Sequence, residues 1–133
     1  MHASIIVKIL GILLILFSFL GNFPPWLVSL IYADGMASVF FYSFLIIFSA
    51  GAVLLLFTAR SRQELGTRDG FLVVTLFWAV LGTAGCLPFM MSSAVELSIT
   101  DAVFESLSGL TTTGATVISG LDDLPRSILF YRQ

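Results

Sequence analysis

Residues 101–118 read DAVFESLSGLTTTGATVI, and the run from Thr111 to Thr116 decides how the rest of the chain is understood. A short helical pattern leads into Thr111, Thr112 and Thr113, followed by Gly114, Ala115 and Thr116. No charge interrupts the chain between Glu105 and Asp122. Two readings stand open. One is an ordinary helix C-terminus closed by a glycine. The other is the lining of an ion path, in which rings of backbone carbonyls, helped by threonine hydroxyls, replace an ion's hydration shell. The second needs an extended backbone with its carbonyls on one side and one position free to take unusual dihedrals. Gly114 supplies that freedom at least steric cost.

The residues ahead of the threonines fit a supporting role. Ile99–Leu110 predicts a helix of roughly 18 Å, too short to cross a bilayer core of about 30 Å. Ser98 is placed to cap it, with Asp101 as capping-box partner and as a favourable charge at the positive end. Ala102, Val103, Leu107 and Leu110 are available for packing, while Ser106, Ser108 and Gly109 keep the approach to the threonines small. The helix's negative end would face the place where a cation sits. Irregular backbone at membrane depth survives only where protein or a water-filled cavity satisfies it. The pattern is that of a re-entrant pore helix.

Composition sets the solvent. Of the 133 residues, 58% are hydrophobic and 11% charged, with a mean hydropathy of +1.05. Soluble domains carry about 25% charged residues, so this is an integral membrane protein. Thirteen phenylalanines suit lipid-facing helices, and the net charge of −2 is too small to imply nucleic acid or an acidic partner. The single cysteine, Cys86, permits neither an intramolecular disulfide nor a cysteine-based zinc site within the chain. Beside Pro88 in an apolar run, it reads as a small buried hydrophobe.

Residues 5–20 are apolar apart from Lys8 and Ser18, and Pro24-Pro25 is expected to end this first span. A cleaved signal peptide is the competing reading, but the positive charge comes late and no small-x-small site precedes the prolines. Lys8 would snorkel to the near interface. Trp26 and Tyr32 read as interfacial aromatics on the far side, and Asp34-Gly35 as a turn. The second span covers residues 37–59. Arg60, Arg62 and Arg68, interleaved with Glu64 and Asp69, then form the one basic loop, which the positive-inside rule places in the cytoplasm together with the N-terminus. A topology signal is the preferred reading of these arginines over a binding patch. Residues 71–87 form a third span at the lower edge of crossing length, with Pro88 stopping or kinking it. Gly82 and Gly85 would let another helix approach closely. This path puts the start of the short helix and Asp122-Asp123 on the same outer face, as a pore loop requires. Residues 124–133 begin a further helix, with Pro125 in its first turn.

Glu96, Asp101, Glu105, Asp122 and Asp123 fall on that outer side. They read either as a cation-attracting vestibule or as ordinary solvated and helix-start charges. Asp101 is assigned to capping. Glu105, inside the short helix, is expected to make a structural hydrogen bond behind the filter, because an ionisable group near membrane depth usually has a partner. His2 has no metal-ligand spacing. No GxSxG, HExxH or phosphate-binding glycine loop is present, which disfavours an enzyme. Besides a cation pathway, the residues leave open a non-conducting scaffold whose Thr/Gly stretch packs a partner helix, and an intramembrane enzyme using Glu96 or Glu105.

FESLSGLTTTGATV, preceded by RDGFLVVTLFWAVLGTAGCLPF and followed by SGLDDLPRSILFYRQ, resembles the bacterial Trk potassium-uptake membrane subunits (TrkH/TrkG) of the wider Trk/Ktr/HKT cation transporter superfamily. The likeness spans the chain and is most specific from Arg68 onward. It implies an all-α membrane fold: three transmembrane helices, a re-entrant pore helix and a filter loop, the start of a pore built from four helix–pore loop–helix repeats. Residues 1–66 would be an N-terminal helix pair, and residues 67–133 an incomplete first repeat. Thr111, Thr112, Thr113, Gly114 and Ala115 would form the K⁺ filter, with Thr112 and Thr113 offering carbonyls to the ion and Gly114 as the filter glycine. The implied setting is the bacterial inner membrane, as a homodimer on a cytoplasmic TrkA-type regulatory subunit that binds NAD(H) and ATP or ADP. No organic cofactor is expected on this chain. Whether permeation is channel-like or proton-coupled symport stays open.

Overall fold

The computed structural model describes residues 3–33, 35–62, 64–92 and 97–132. The expectations for His2, Asp34 and Glu96 lie outside the described residues. Among the described residues, three helical stretches are long and apolar enough to cross a bilayer: Ala3–Tyr32, Ala37–Thr58 and Thr67–Met91. Helix α1 (Ala3–Phe17) passes through a single π turn, Ser18–Asn22, into α2 (Phe23–Tyr32), so the first span runs past Pro24-Pro25 instead of ending there. The reason is local. Prolines lack an N–H donor, but the first turn of a helix has no use for those donors, and these two occupy the start of α2. The chain turns at Ala33, in left-handed conformation, and enters α3 (Ala37–Thr58).

Glycines set how closely the first helices cross. A Cβ on Gly51 of α3 would lie 2.8 Å from the Gly11 carbonyl oxygen and 2.8 Å from Ile15 Cγ1 of α1. Leu14, Ile47 and Leu81 form the buried centre of this bundle, with Phe17, Phe77 and Leu110 packed around it. Outward-facing side chains are apolar as well: Leu56 is 79%, Phe57 85% and Phe71 74% exposed, which suits contact with lipid or further apolar protein. At the N-terminal end Lys8 Nζ donates to the Ser61 carbonyl at 3.4 Å, placing the start of α1 beside the Arg60–Arg68 loop.

Helix α4 (Thr67–Ala84) starts earlier than residue 71, because the Asp69 carboxylate accepts the Gly66 N–H at 3.0 Å and caps it. Pro88 opens a further short helix, α5 (Leu87–Met91), rather than simply closing the span. Cys86 is buried as expected. Helix α6 (Ile99–Leu110) has the predicted limits, and Ser98 Oγ accepts the Asp101 N–H at 3.2 Å at its N-terminus. An irregular stretch and a 3₁₀ turn, Leu121–Asp123, lead to α7 (Arg126–Arg132), whose Leu129 N–H reaches back to the Pro125 carbonyl. A second core joins α3, α5, α6 and α7 through Phe40, Phe89, Ala102 and Ile128.

Candidate functional site

Helix α6 is held against α4 where glycine leaves room. A Cβ at Gly82 would collide with the Leu107 side chain, and one at Gly85 with Ser106 Oγ. The two glycines thus serve the close approach expected of them. The C-terminus of α6 unwinds in a fixed way: the Thr111 N–H bonds the Leu107 carbonyl at 2.9 Å, and the Thr113 N–H bonds the Ser108 carbonyl at 2.9 Å. Both an ordinary helix end and a specialised loop have such closing bonds.

From Thr111 to Val117 every residue is exposed, and the backbone has no regular partner strand or helix among the described residues. Gly114 has φ +77°, as the sequence requires of it, and Thr112 has φ +57°, which nothing in the sequence announced. A β-branched residue seldom takes that conformation, so the bonds around Thr112 impose it. The Thr111 and Thr113 hydroxyls lie 2.8 Å apart, and Thr111 Oγ1 also donates to the Leu107 carbonyl at 2.7 Å. Ser108 Oγ donates to the Ala115 carbonyl at 2.6 Å, so the Ala115 oxygen is engaged by α6.

Behind the loop lies Glu105, only 2% exposed. Its Oε1 accepts the Thr116 hydroxyl and the Val117 N–H, the latter at 2.6 Å. Its Oε2 accepts from Arg132 Nε at 3.2 Å. The structural hydrogen bond expected of Glu105 is present, and it removes this carboxylate from any vestibule. Asp122 and Asp123 remain exposed. Sequence reading missed Arg132 because periodicity carries no information on which side chain meets Glu105 from a later helix. A cleft of about 260 Å³ is bordered by Glu105, Ser108, Thr112, Gly114, Ala115 and Arg132. Among the described residues no cluster of three or more His, Cys, Asp or Glu is arranged to hold a metal. The cleft's lining combines the paired Glu105 and Arg132 side chains with the hydroxyl-bearing residues Ser108 and Thr112 and the small residues of the loop.

Residues 36–133 match the TrkH family of cation transport proteins. The chain belongs to that family. The TrkH potassium uptake protein of Halomonas elongata is 55% identical over 133 residues, covering 100% of this chain and 27% of its own length. TrkH of Escherichia coli K12 is 52% identical over 134 residues, with 100% and 27% covered. TrkG of the same organism is 39% identical over 131 residues, with 98% and 27% covered. In three dimensions the crystal structure of the potassium transporter TrkH from Vibrio parahaemolyticus superposes with a TM-score of 0.93 at 51% identity, covering 99% of this chain and 28% of that one. The chain therefore spans about 27% of the curated TrkH proteins it matches. The resemblance drawn from residues 68–133 is borne out. TrkH-family proteins are named for transport, which leaves the intramembrane enzyme without support and does not favour the scaffold.

Proposed function

We propose that this chain forms part of the potassium-conducting path of a Trk-type uptake system, with residues 111–115 as one wall of the filter. The observation that carries the reading is the sequence of α6, an exposed Thr/Gly loop with positive φ at Gly114, and a buried carboxylate fastening the loop from behind. Thr112, Thr113 and Gly114 present carbonyls to K⁺. Thr111 contributes its hydroxyl network, and Ala115, whose oxygen is taken by Ser108, shapes the loop's end. Permeation is then exchange of water for carbonyl oxygen, with no covalent step.

Helix α6 dips into the membrane without crossing it, since twelve residues are too few, and the loop after it returns to the same face at Asp122-Asp123. Residues 1–66 form a peripheral helix pair, and residues 67–133 belong to one helix–pore loop–helix repeat. The Lys8–Ser61 contact supports placing the N-terminus and the Arg60–Arg68 loop on a common side, which positive charge makes cytoplasmic. The setting is the bacterial inner membrane, with Asp122 and Asp123 on the periplasmic side. Homodimer formation and docking of a TrkA-type subunit carrying NAD(H) or ATP follow from the family resemblance, and belong to the whole protein.

Gly114→Ser tests the reading in a full-length transporter that carries this sequence as its matching segment. The expected outcome is a changed ratio of K⁺ to Na⁺ uptake in cells lacking other potassium systems. An unaltered ratio, at unaltered abundance, would remove residues 111–115 from the ion path.

A further inference from the structure

The carboxylate of Glu105 has two oxygens, and each serves a different part of the chain. Oε1 holds the loop at Thr116 and Val117, immediately after the proposed filter. Oε2 holds Arg132, in the last turn of α7. Helix α7 has further contacts with the rest of the chain. Ser127 and Ile128 of α7 are fully buried, and Tyr131 Oη donates to the Gly85 carbonyl at 2.6 Å. At the other end of α7, Arg126 lies 4.6 Å over the Tyr32 ring. The backbones also come close, since a Cβ on Gly109 would meet the Arg132 carbonyl oxygen at 3.2 Å. A buried carboxylate keeps its orientation only while its charge is compensated. Without Arg132, Glu105 would retain the loop's hydroxyl and N–H but lose the cation that fixes its other oxygen.

We propose that Arg132 is a positioning residue for ion selection: acting through Glu105, it fixes the backbone at Thr116–Val117 and so ties the geometry of the Thr/Gly loop to the position of α7. This rests on the reading of residues 111–115 as an ion path. The chain of contacts is short and complete, from the α7 guanidinium to the α6 carboxylate to the loop amide. Displacement of α7 pulls on the loop through Glu105.

The test uses R132Q, R132K, E105Q and the double variant E105Q/R132Q, with G114S alongside, in the full-length transporter bearing this segment. The readout is the K⁺-to-Na⁺ uptake ratio at matched membrane abundance. R132Q is expected to lower the ratio about tenfold, in line with a hydrogen bond to a charged partner. R132K should fall between R132Q and the parent, because an ammonium supplies charge without the guanidinium's fixed donor. The double variant should be no worse than the poorer single one, since both changes cut the same link. An unchanged ratio in R132Q while G114S shifts it would overturn the coupling and leave the filter reading intact. Fully multiplicative losses in the double variant would also overturn it. If G114S changes nothing, the filter reading and this inference fall together. Should R132Q fail to accumulate, R132K at matched abundance decides: a parental ratio counts against the coupling and a reduced one for it.

Discussion

The α1–α3 crossing and the α6–loop–α7 assembly sit in one chain but are held in different ways. At the crossing, Gly11 and Gly51 bring two helices together and apolar side chains do the rest, with Leu14 and Ile47 at the centre. In the α6 region, short directional bonds from Ser98, Ser108, Glu105, Tyr131 and Arg132 specify where each backbone atom lies. Packing of apolar surface tolerates rearrangement of similar volume, whereas a buried polar network is costly once one member is lost. The contrast teaches what the directional bonds add: they fasten the Thr/Gly segment from behind, where hydrophobic contact cannot set a carbonyl's direction.

Substitution should therefore read out differently in the two regions. The largest effect is expected from Glu105→Ala, which strands the Arg132 guanidinium, the Thr116 hydroxyl and the Val117 N–H. Loss of one partner from a buried ion pair costs about 3–5 kcal/mol. K⁺-selective uptake should disappear even where protein reaches the membrane, and retained selectivity would erase the distinction between the two regions. Next comes Gly51→Val at the crossing, where the obstacle is the Gly11 backbone carbonyl. Overpacking of this kind costs about 1–3 kcal/mol. It should lower the melting temperature in detergent while the K⁺-to-Na⁺ ratio of the surviving protein stays at the parental value. A shifted ratio would show that the two regions are not separable.

The smallest effect, and the opposite sign, is expected at Asn22. Both polar atoms of its buried carboxamide lack a hydrogen-bond partner among the described residues, and an unpaired buried amide is unfavourable. Asn22→Leu should raise the melting temperature slightly and leave uptake unchanged. A lower melting temperature would show that the carboxamide is paired in the whole transporter.

Much of this organisation was legible because it is local. Hydropathy marked the three spans, Ser98 and Asp101 marked the start of α6, and Gly114 announced positive φ. Pro24-Pro25 misled, since a proline pair reads as a stop when the helix before it is assumed to be α throughout. The π turn let a new helix begin there instead. Thr112 was illegible for another reason: its φ of +57° is imposed by neighbours and contradicts its own preference. The pairing of Glu105 with Arg132 joins residues far apart in sequence, and no periodic pattern encodes which two charged side chains a fold will bring face to face. The surroundings of the Thr/Gly loop were readable as composition, but their wiring was a property of the folded chain.

The π turn at Ser18–Asn22 has a further consequence, best seen as a matter of phase. Apart from Gly11 beside Leu10, buried positions along the first span fall at Ile6, Leu10, Leu14, Ser18, Asn22, Pro25 and Ser29. Steps of four outrun an α-helix of 3.6 residues per turn, so such a line should wind around the cylinder. The wider turn winds more slowly and brings the line back toward one side, much as a leap day realigns a calendar. The wide turn holds one residue more than an α turn over nearly the same angle, so a residue removed there would restore plain α-helix. One removed between Ser18 and Pro25 from a uniform α-helix would instead swing Pro25 and Ser29 by about 100°.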